Sequence, residues 1–560
     1  LSGYLNVYDL IEGRSQNTQK IISFYEDYTL VNQKSFAEIT QDVVVMAKKL
    51  SSQLVKNEIF FVSLPNSYDF LIVFLASLKA GVIPAPIVSA DSMMKSDYYD
   101  YLDQLKAYTQ IQKILPLDSH RAELVRSGFE VISIGEALSG SNPEQFLNNP
   151  QKPKMLPSYL NEQIAFIQFS SGSTSDPKGV MISHKALIEN IPMLRLAMEV
   201  SENSVLVSWI PFFHDMGLVG SLLTAILTPY ETHILRPIDF IKSPLKFLEL
   251  TTKVKATIWV GPDSMYRILS KNMFQAKLNI DLSSLQACLC GSEPVLLDTY
   301  NQFKAVATPY GWNPQSFIAG YGQAENVVGI CFAPMRSHIK THEKNKRQIV
   351  SCGKPSREIK VQILDEEQKL VKDGIEGLIW IQSPSLCSGY LDRDDLFKAN
   401  CLGSWFFTGD IGFIKDEELY VSGRHKDLII VESKKYFSVD LEQRVWNLIG
   451  HDRHVKKVAV VGKGTIGGDE SVTVCVEWLD FLPLLSFRQR DDFRNKIIHN
   501  LKNQFKISKN DVIYTGVRSL PRTTSGKLKR YLIKNRVTSK QIKNSLWDIF
   551  WRSWVLGMMK

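Results

Sequence analysis

Between Ser35 and Leu54, apolar side chains recur at Phe36, Ile39, Val43, Val44, Ala47 and Leu50, the spacing that lines one face of a helix. A continuous apolar run, Ile59 to Leu64, follows and breaks at Pro65-Asn66, so it reads as a buried strand ending in a turn. The next block, Phe70 to Lys79, predicts a helix stopped by Gly81, since glycine accepts the left-handed geometry of a helix end. Short β-type runs return at Val82 to Val88, Gln163 to Phe169, Ser204 to Ile210, Ala256 to Val260 and Ala287 to Cys290. Strands alternating with helices predict an α/β fold built on parallel sheets.

After Gly374 the pattern shifts to short strands such as Gly377 to Gln382 and Glu418 to Ser422, which predicts a β-rich subdomain. Beyond Gly423 a smaller α+β unit begins, with strands near Lys457 to Val461 and Val472 to Trp478. The expected division is a large N-terminal domain of several subdomains over 1–422, a small C-terminal domain over 423–536 and a tail over 537–560.

Composition narrows the class. A chain of 560 residues, 44% hydrophobic and 22% charged, can bury more than one core, which excludes disorder. The net charge of +8 reads as spread along the chain, without the basic run of a nucleic-acid face. The apolar stretch Phe70 to Leu78 falls far short of the ~20 residues that span a bilayer. Seven cysteines without paired metal-ligand spacing, and no basic-then-apolar leader, read as reduced structural thiols of a cytoplasmic protein.

Candidate chemistry begins with Phe169-Ser-Ser-Gly-Ser-Thr-Ser-Asp-Pro-Lys-Gly-Val180, between a strand-like run and a helical pattern. Small residues let backbone N–H groups approach an anion. Ser170, Ser171, Ser173 and Thr174 add hydroxyl donors around Gly172, and Lys178 adds a cation, which suits a polyphosphate. Gly179 follows Lys178 instead of preceding it, so the segment is not the Gly-x-x-x-x-Gly-Lys-Ser/Thr loop. By composition alone, a flexible Ser/Gly turn is an equal reading.

Five further segments follow in order: Ser208-Trp-Ile-Pro-Phe-Phe-His-Asp-Met-Gly-Leu218, Gly291-Ser-Glu-Pro294, Gly320-Tyr-Gly-Gln-Ala-Glu325, Thr408-Gly-Asp410 and Pro521-Arg-Thr-Thr-Ser-Gly-Lys527. Together the six resemble the acyl-adenylate-forming superfamily from about Ser35 to Arg530. The segment beginning Ser208, with Gly291 to Pro294 and Val350-Ser-Cys-Gly353, is most similar to the fatty acyl-AMP ligases.

The resemblance implies ATP, with AMP on the product side, and Mg²⁺. It implies that Ser170 to Lys178 holds the β- and γ-phosphates, and that Gly291, Ser292, Glu293, Tyr321 and Gly322 form the adenine site. Asp410 and Arg424 would serve the ribose, Glu325 the metal, and His214 the carboxylate being activated. Lys527 would be the mobile catalytic lysine and Lys426 the hinge of a C-terminal lid. Phe212, Phe213, Met216 and Gly261 would line an acyl pocket. Each of His214, Glu325, Asp410 and Lys527 taken alone reads as an ordinary structural or surface residue.

The implied reaction joins a fatty acid to ATP, releases pyrophosphate and passes the acyl group to the phosphopantetheine thiol of an acyl carrier protein. An acyl-CoA synthetase using CoA is the alternative, and a non-enzymatic adenylate-binding homologue stands behind it.

Departures from the family pattern bear on the acceptor. Phe213 stands where the ligases commonly have His, and Ser433 stands where glycine leaves room for pantetheine. A basic insertion, Arg336 to Arg347, reads as a shortened family insertion or as a solvated loop. The tail, with Trp547, Ile549, Phe550, Trp551 and Trp554 among Lys543 and Arg552, has three readings: an amphipathic helix on a membrane surface, packing against the protein's own body, or a lead into a further domain.

Overall fold

The computed structural model describes residues 6–15, 20–92, 95–134, 154–155, 164–170, 177–274, 278–344, 347–431, 434–464, 470–480, 487–522, 527–542 and 549–554. The chain forms two compact units. One holds 1–170, 177–408 and 412–421; the other holds 171–176, 409–411 and 422–560.

The larger unit is organised around a nine-stranded sheet. Its six central strands, Phe317–Tyr321, Ala287–Cys290, Ile258–Gly261, Val205–Ser208, Glu231–Leu235 and Ile21–Glu26, run parallel in that spatial order. Antiparallel strands close both edges. The parallel strands are almost wholly buried because helices cover their faces, which is why they read as continuous apolar runs.

The helix Phe36–Ser51 begins with a reciprocal cap in which Ser35 Oγ accepts from the Glu38 N–H and Glu38 accepts from the Ser35 N–H. The helix Tyr68–Ala80 ends at Gly81 with φ +69°. A second parallel sheet orders Ile83–Pro86, Ile59–Ser63, Lys113–Pro116 and Glu130–Val131. The β-rich part begins at Lys360–Leu364, earlier than the pattern change at Gly374, and continues through Gly377–Gln382 and Trp405–Lys415.

The insertion is not a solvated loop. Thr341–Lys344 pairs with Arg347–Val350 as a hairpin. Lys340 and Ser351 Oγ both bind the buried carboxylate of Glu418, Lys344 Nζ donates to the Gly374 carbonyl at 3.0 Å, and Arg336 pairs with Glu199 at 2.5 Å. Arg336, Lys340 and Lys344 thus each hold a partner.

The smaller unit has a sheet of Val455–Lys463, Ser471–Trp478 and Asn510–Gly516, with the helices Ser438–Ile449 and Phe487–Phe505 sharing one apolar core with it. Charge is not spread as the whole-chain total suggested. Residues 422–560 hold 27 Lys and Arg against 13 Asp and Glu, a net of +14, leaving the preceding residues at −6.

The described end of the tail packs onto this unit. Ile549 lies in its core, and Ser553 Oγ accepts the Asp480 N–H at 2.8 Å, while Trp551 and Trp554 remain half-exposed. Trp547 and Lys543 lie outside the described residues. All seven cysteines are free and six are buried. Among the described residues no helix is long and apolar enough to cross a membrane.

Candidate active site

Four neighbouring parallel strands deliver the singled-out segments to one sheet edge. Trp209 to His214 follow Val205–Ser208, Gly261 ends its strand, Gly291 to Glu293 follow Ala287–Cys290, and Gly322 to Glu325 follow Phe317–Tyr321. These are carboxyl ends, where open parallel sheets form their ligand crevices.

His214 and Ser292, 78 residues apart in sequence, meet there with Nε2 3.3 Å from Oγ. On the other side of the ring, Nδ1 lies 2.6 Å from Asp215 Oδ1. The Met216 N–H reaches both groups, 3.3 Å from His214 Nδ1 and 2.7 Å from Asp215 Oδ1, so the ring is held by the turn on one side and by a hydroxyl on the other. Ser292 occupies the left-handed region, φ +66°. The Glu293 side chain accepts the Ser264 N–H at 2.8 Å, at the start of the helix Asp263–Met273.

The strands Ile164–Phe169 and Gly179–Ser183 form an antiparallel hairpin that closes the Ser170 to Lys178 loop. At its neck the Ser170 N–H donates to the Lys178 carbonyl at 2.9 Å, and the Lys178 N–H donates to Ser170 Oγ at 3.2 Å. Ser171, Gly172, Ser173 and Thr174 lie outside the described residues. Lys178 Nζ sits 3.4 Å from Tyr390 Oη and over the Tyr390 ring at 4.6 Å. The Tyr390 hydroxyl in turn donates to Glu325 Oε1 at 2.8 Å. A phenol thus joins the loop cation to the carboxylate expected to hold a metal.

Glu325 is fixed by neutral groups. Its carbonyl accepts the Cys387 N–H at 2.7 Å. Next to it, buried Asn190 donates to the Asn326 and Gly329 carbonyls and to Ser385 Oγ, each at 3.0 Å, and Asn326 Nδ2 donates to the Gly329 carbonyl at 2.7 Å. Val327 has φ +65° and ψ −65°, a strained γ-turn closed by the Val328 N–H on the Asn326 carbonyl at 2.7 Å. A β-branched residue held there costs on the order of 1–3 kcal/mol. Gly322 approaches the same turn so closely that a Cβ would lie 1.7 Å from the Val328 carbonyl oxygen. Burial pushes the Cys387 thiol well above its ordinary range, and the charge of Glu325 adds to this.

Among the described residues no group of three or more His, Cys, Asp or Glu could cage a metal alone. A single carboxylate suits a hard cation that takes its other ligands from phosphates and water.

The acyl-pocket candidates separate. Phe212 is buried against Phe70, with ring centroids 5.1 Å apart, whereas Phe213 packs against a separate core cluster that contains Phe61, Tyr98 and Phe169. Met216 Cγ and Val260 Cγ1 lie 3.6 and 4.0 Å from a Cβ placed on Gly220. Over Gly261 sits Met265, whose sulfur accepts from Trp209 Nε1 at 3.3 Å and would lie 2.3 Å from a Cβ on Gly261.

In the smaller unit Arg424 Nε is 2.9 Å from Oδ1 of buried Asp410. Lys426 lies in the short turn His425–Asp427, and Lys527 is partly buried. Ser433 lies outside the described residues. Sequence reasoning missed Tyr390 and Asn190. Asn190 falls on the buried face of the helix His184–Ala197, beside Ala186, Leu187, Ile191 and Leu194, which was a signal for it, but nothing local marks Tyr390.

The Lys178–Tyr390–Glu325 chain and the His214–Ser292 pair at the carboxyl ends of the parallel strands therefore share the larger unit. The family model described as AMP-binding enzyme matches residues 14–391, and the chain belongs to that family. It is 28% identical to the medium-chain-fatty-acid–[acyl-carrier-protein] ligase JamA of Moorena producens, covering 93% of each chain. It is 26% identical to the corresponding ligase TtuA of Teredinibacter turnerae, over 93% of this chain and 91% of that one. A solved structure from a study of fatty acyl-adenylate ligases of E. coli and L. pneumophila matches with a TM-score of 0.83 at 24% identity, covering 96% of this chain and 99% of that one.

Proposed function

We propose that this enzyme is a fatty acyl-AMP ligase, joining a fatty acid to ATP as an acyl-adenylate with release of pyrophosphate, and that the acyl group then passes to the thiol of an acyl carrier protein. The observation that carries the reading is the meeting of Lys178, Tyr390 and Glu325, in the unit whose strand ends also bring His214 to Ser292. Likeness to two carrier-protein ligases over nearly full length favours a fatty acid and a carrier protein over CoA.

A carboxylate is anionic near neutral pH, so its attack on the α-phosphorus needs no general base. The obstacle is repulsion between that anion and the polyphosphate. Lys178 and the backbone of its loop would hold the phosphates, and Tyr390 would keep Lys178 and Glu325 in fixed relation. Mg²⁺ held by Glu325 would supply charge compensation at the phosphates. His214, oriented by Asp215, would hold the acid's carboxylate. Asp410, presented by Arg424, would accept from the ribose hydroxyls, and Gly291 to Glu293 with Tyr321 and Gly322 would take the adenine. Lys527 would bring a second ammonium to the reacting centre, carried by a lid over 423–536 that turns at Lys426.

Incubation with ATP, Mg²⁺ and a panel of fatty acids, read by mass spectrometry, should yield acyl-AMP; none with any acid would end the reading. Carrier protein and CoA offered in parallel to the preformed adenylate should favour the carrier protein. The half-exposed Trp551 and Trp554 support a second role for the tail, contact with a membrane surface. Unchanged liposome binding after deletion of 537–560 would dispose of that role.

A further inference from the structure

The segment bearing Lys527 is bracketed by two arginines, each seated on carboxylates that the smaller unit buries. On the entering side, Arg522 pairs with Glu477, which is 1% exposed and also accepts the Leu520 N–H at 3.0 Å. Arg522 and Leu528 form a bridge, and the Lys529 N–H donates to the Pro521 carbonyl at 2.9 Å, so the two ends of the segment are tied together.

On the leaving side, Arg530 starts the helix Arg530–Thr538. Its Nε and Nη2 donate to the two oxygens of Glu442 at 2.9 and 2.7 Å, and its Nη1 donates to Asp427 Oδ2 at 2.7 Å. Glu442 is itself fixed to the sheet, accepting the Val460 N–H at 3.0 Å. Asp427 follows Lys426 directly, and Ser438 Oγ donates to its carbonyl at 3.0 Å. A planar guanidinium held on two carboxylates has one orientation, and lysine could not copy it.

From this geometry we propose that Arg530 is a positioning residue for Lys527, clamping the end of its segment to Glu442 and to the turn containing Lys426. The Lys527 ammonium sits at the end of a flexible stem, so its aim depends on the backbone beneath it. Fixing that backbone at both ends removes freedom that would otherwise be lost when Lys527 engages the substrate. Through Asp427 the same guanidinium joins the turn and the segment into one piece, so a rotation at Lys426 would carry Lys527 without loosening it. The proposal rests on the adenylation reading for what Lys527 does, but the clamp can be read without it.

Arg530→Gln in the full chain tests it, with Lys534→Met as the control. Lys534 lies one turn further along the same helix on another buried carboxylate, Glu470, but does not adjoin the Lys527 segment. The expected result is a roughly 10- to 100-fold fall in kcat for acyl-AMP formation with the KM for ATP nearly unchanged. Over Lys527→Ala the same change should cost nothing more, because there is no ammonium left to aim. Trypsin should cut after Lys527 and Lys529 at least tenfold faster in Arg530→Gln than in Lys534→Met.

An equal loss alone and over Lys527→Ala, or unchanged kcat and unchanged trypsin cutting, would overturn the proposal. Should Arg530→Gln fail to fold, Asp427→Asn removes one arm only and is held to the same two readouts. Wild-type protein that makes no acyl-AMP refutes the adenylation reading, and the trypsin comparison still decides the clamp.

Discussion

The two units hold their key residues by opposite means. In the larger one, Glu325 is set by amides, a hydroxyl, a strained turn at Val327 and the close approach of Gly322. In the smaller one, the Lys527 segment is set by ion pairs, Arg522 on Glu477 and Arg530 on Glu442 and Asp427. Burial works against the Arg530 charge, but its two carboxylates more than offset this and hold the guanidinium firmly protonated. Neutral contacts at close approach tolerate almost no displacement and suit a fixed floor. Charged clamps in a basic unit keep a small piece rigid while leaving the unit positive, which would suit the role proposed for Lys527.

Removing the ammonium itself should have the largest effect. Lys527→Ala is expected to slow adenylate formation roughly 10²- to 10³-fold, on the order of 3–4 kcal/mol, with the melting temperature unchanged. Normal ATP–pyrophosphate exchange in that variant would remove Lys527 from the chemistry. Next comes Gly322→Ala. Its new methyl would have to displace the Val328 carbonyl, a backbone atom that cannot swing aside. A destabilisation of about 3 kcal/mol is expected, with loss of activity in the fraction that stays folded. A calorimetric scan should therefore show only the larger unit weakened, the reverse of the Lys527→Ala pattern.

Much of this arrangement could be read in the chain, and the exceptions share a cause. Ile59–Ser63 and Ala287–Cys290 are wholly buried strands, so an unbroken apolar run was sufficient to find them. Gly81 announced a helix end through backbone geometry alone. Tyr390 could not be found this way, because its partners Lys178 and Glu325 are 212 and 65 residues distant and only closure of the fold brings them together. The positive φ of Val327 is likewise imposed from outside, since valine resists it. The insertion misled for a related reason: its lysines look solvated until Glu418, 78 residues from Lys340, is found beneath one of them. Net charge misled through averaging, because an acidic larger part hides a basic smaller one.

Tyr390→Phe probes the neutral side more gently. It keeps the ring beneath Lys178 and deletes the hydroxyl that donates to Glu325. A hydrogen bond to a charged group contributes about 1.5–3 kcal/mol. Some of that loss would be made good by water, so a roughly tenfold fall in kcat/KM for ATP is expected, partly recovered at high Mg²⁺. No change with Mg²⁺ would show that the phenol orients Lys178 alone. An effect as large as that of Lys527→Ala would blur the contrast between residues proposed to position and the one proposed to react.

The smallest effect comes from putting charge where the larger unit is built without it. His184 begins the helix His184–Ala197, is buried, and accepts the Val7 N–H on Nδ1 at 3.3 Å. Burial depresses its pKa from 6.5 to about 4. In the unfolded chain the ring takes up a proton near 6.5; in the fold it resists until about 4. The unfolded state therefore binds more protons between those values, and stability falls as the pH falls through that window. Between pH 7 and 5.5 the loss from this one group should be about 1 kcal/mol, and the Val7 N–H should lose its acceptor as the ring charges. Denaturant midpoints at the two pH values, compared with those of His184→Gln, isolate the term: glutamine can still accept from Val7 but cannot titrate, so its midpoint should move less. Equal shifts in both proteins would assign the acid sensitivity to other groups and leave His184 an ordinary core residue.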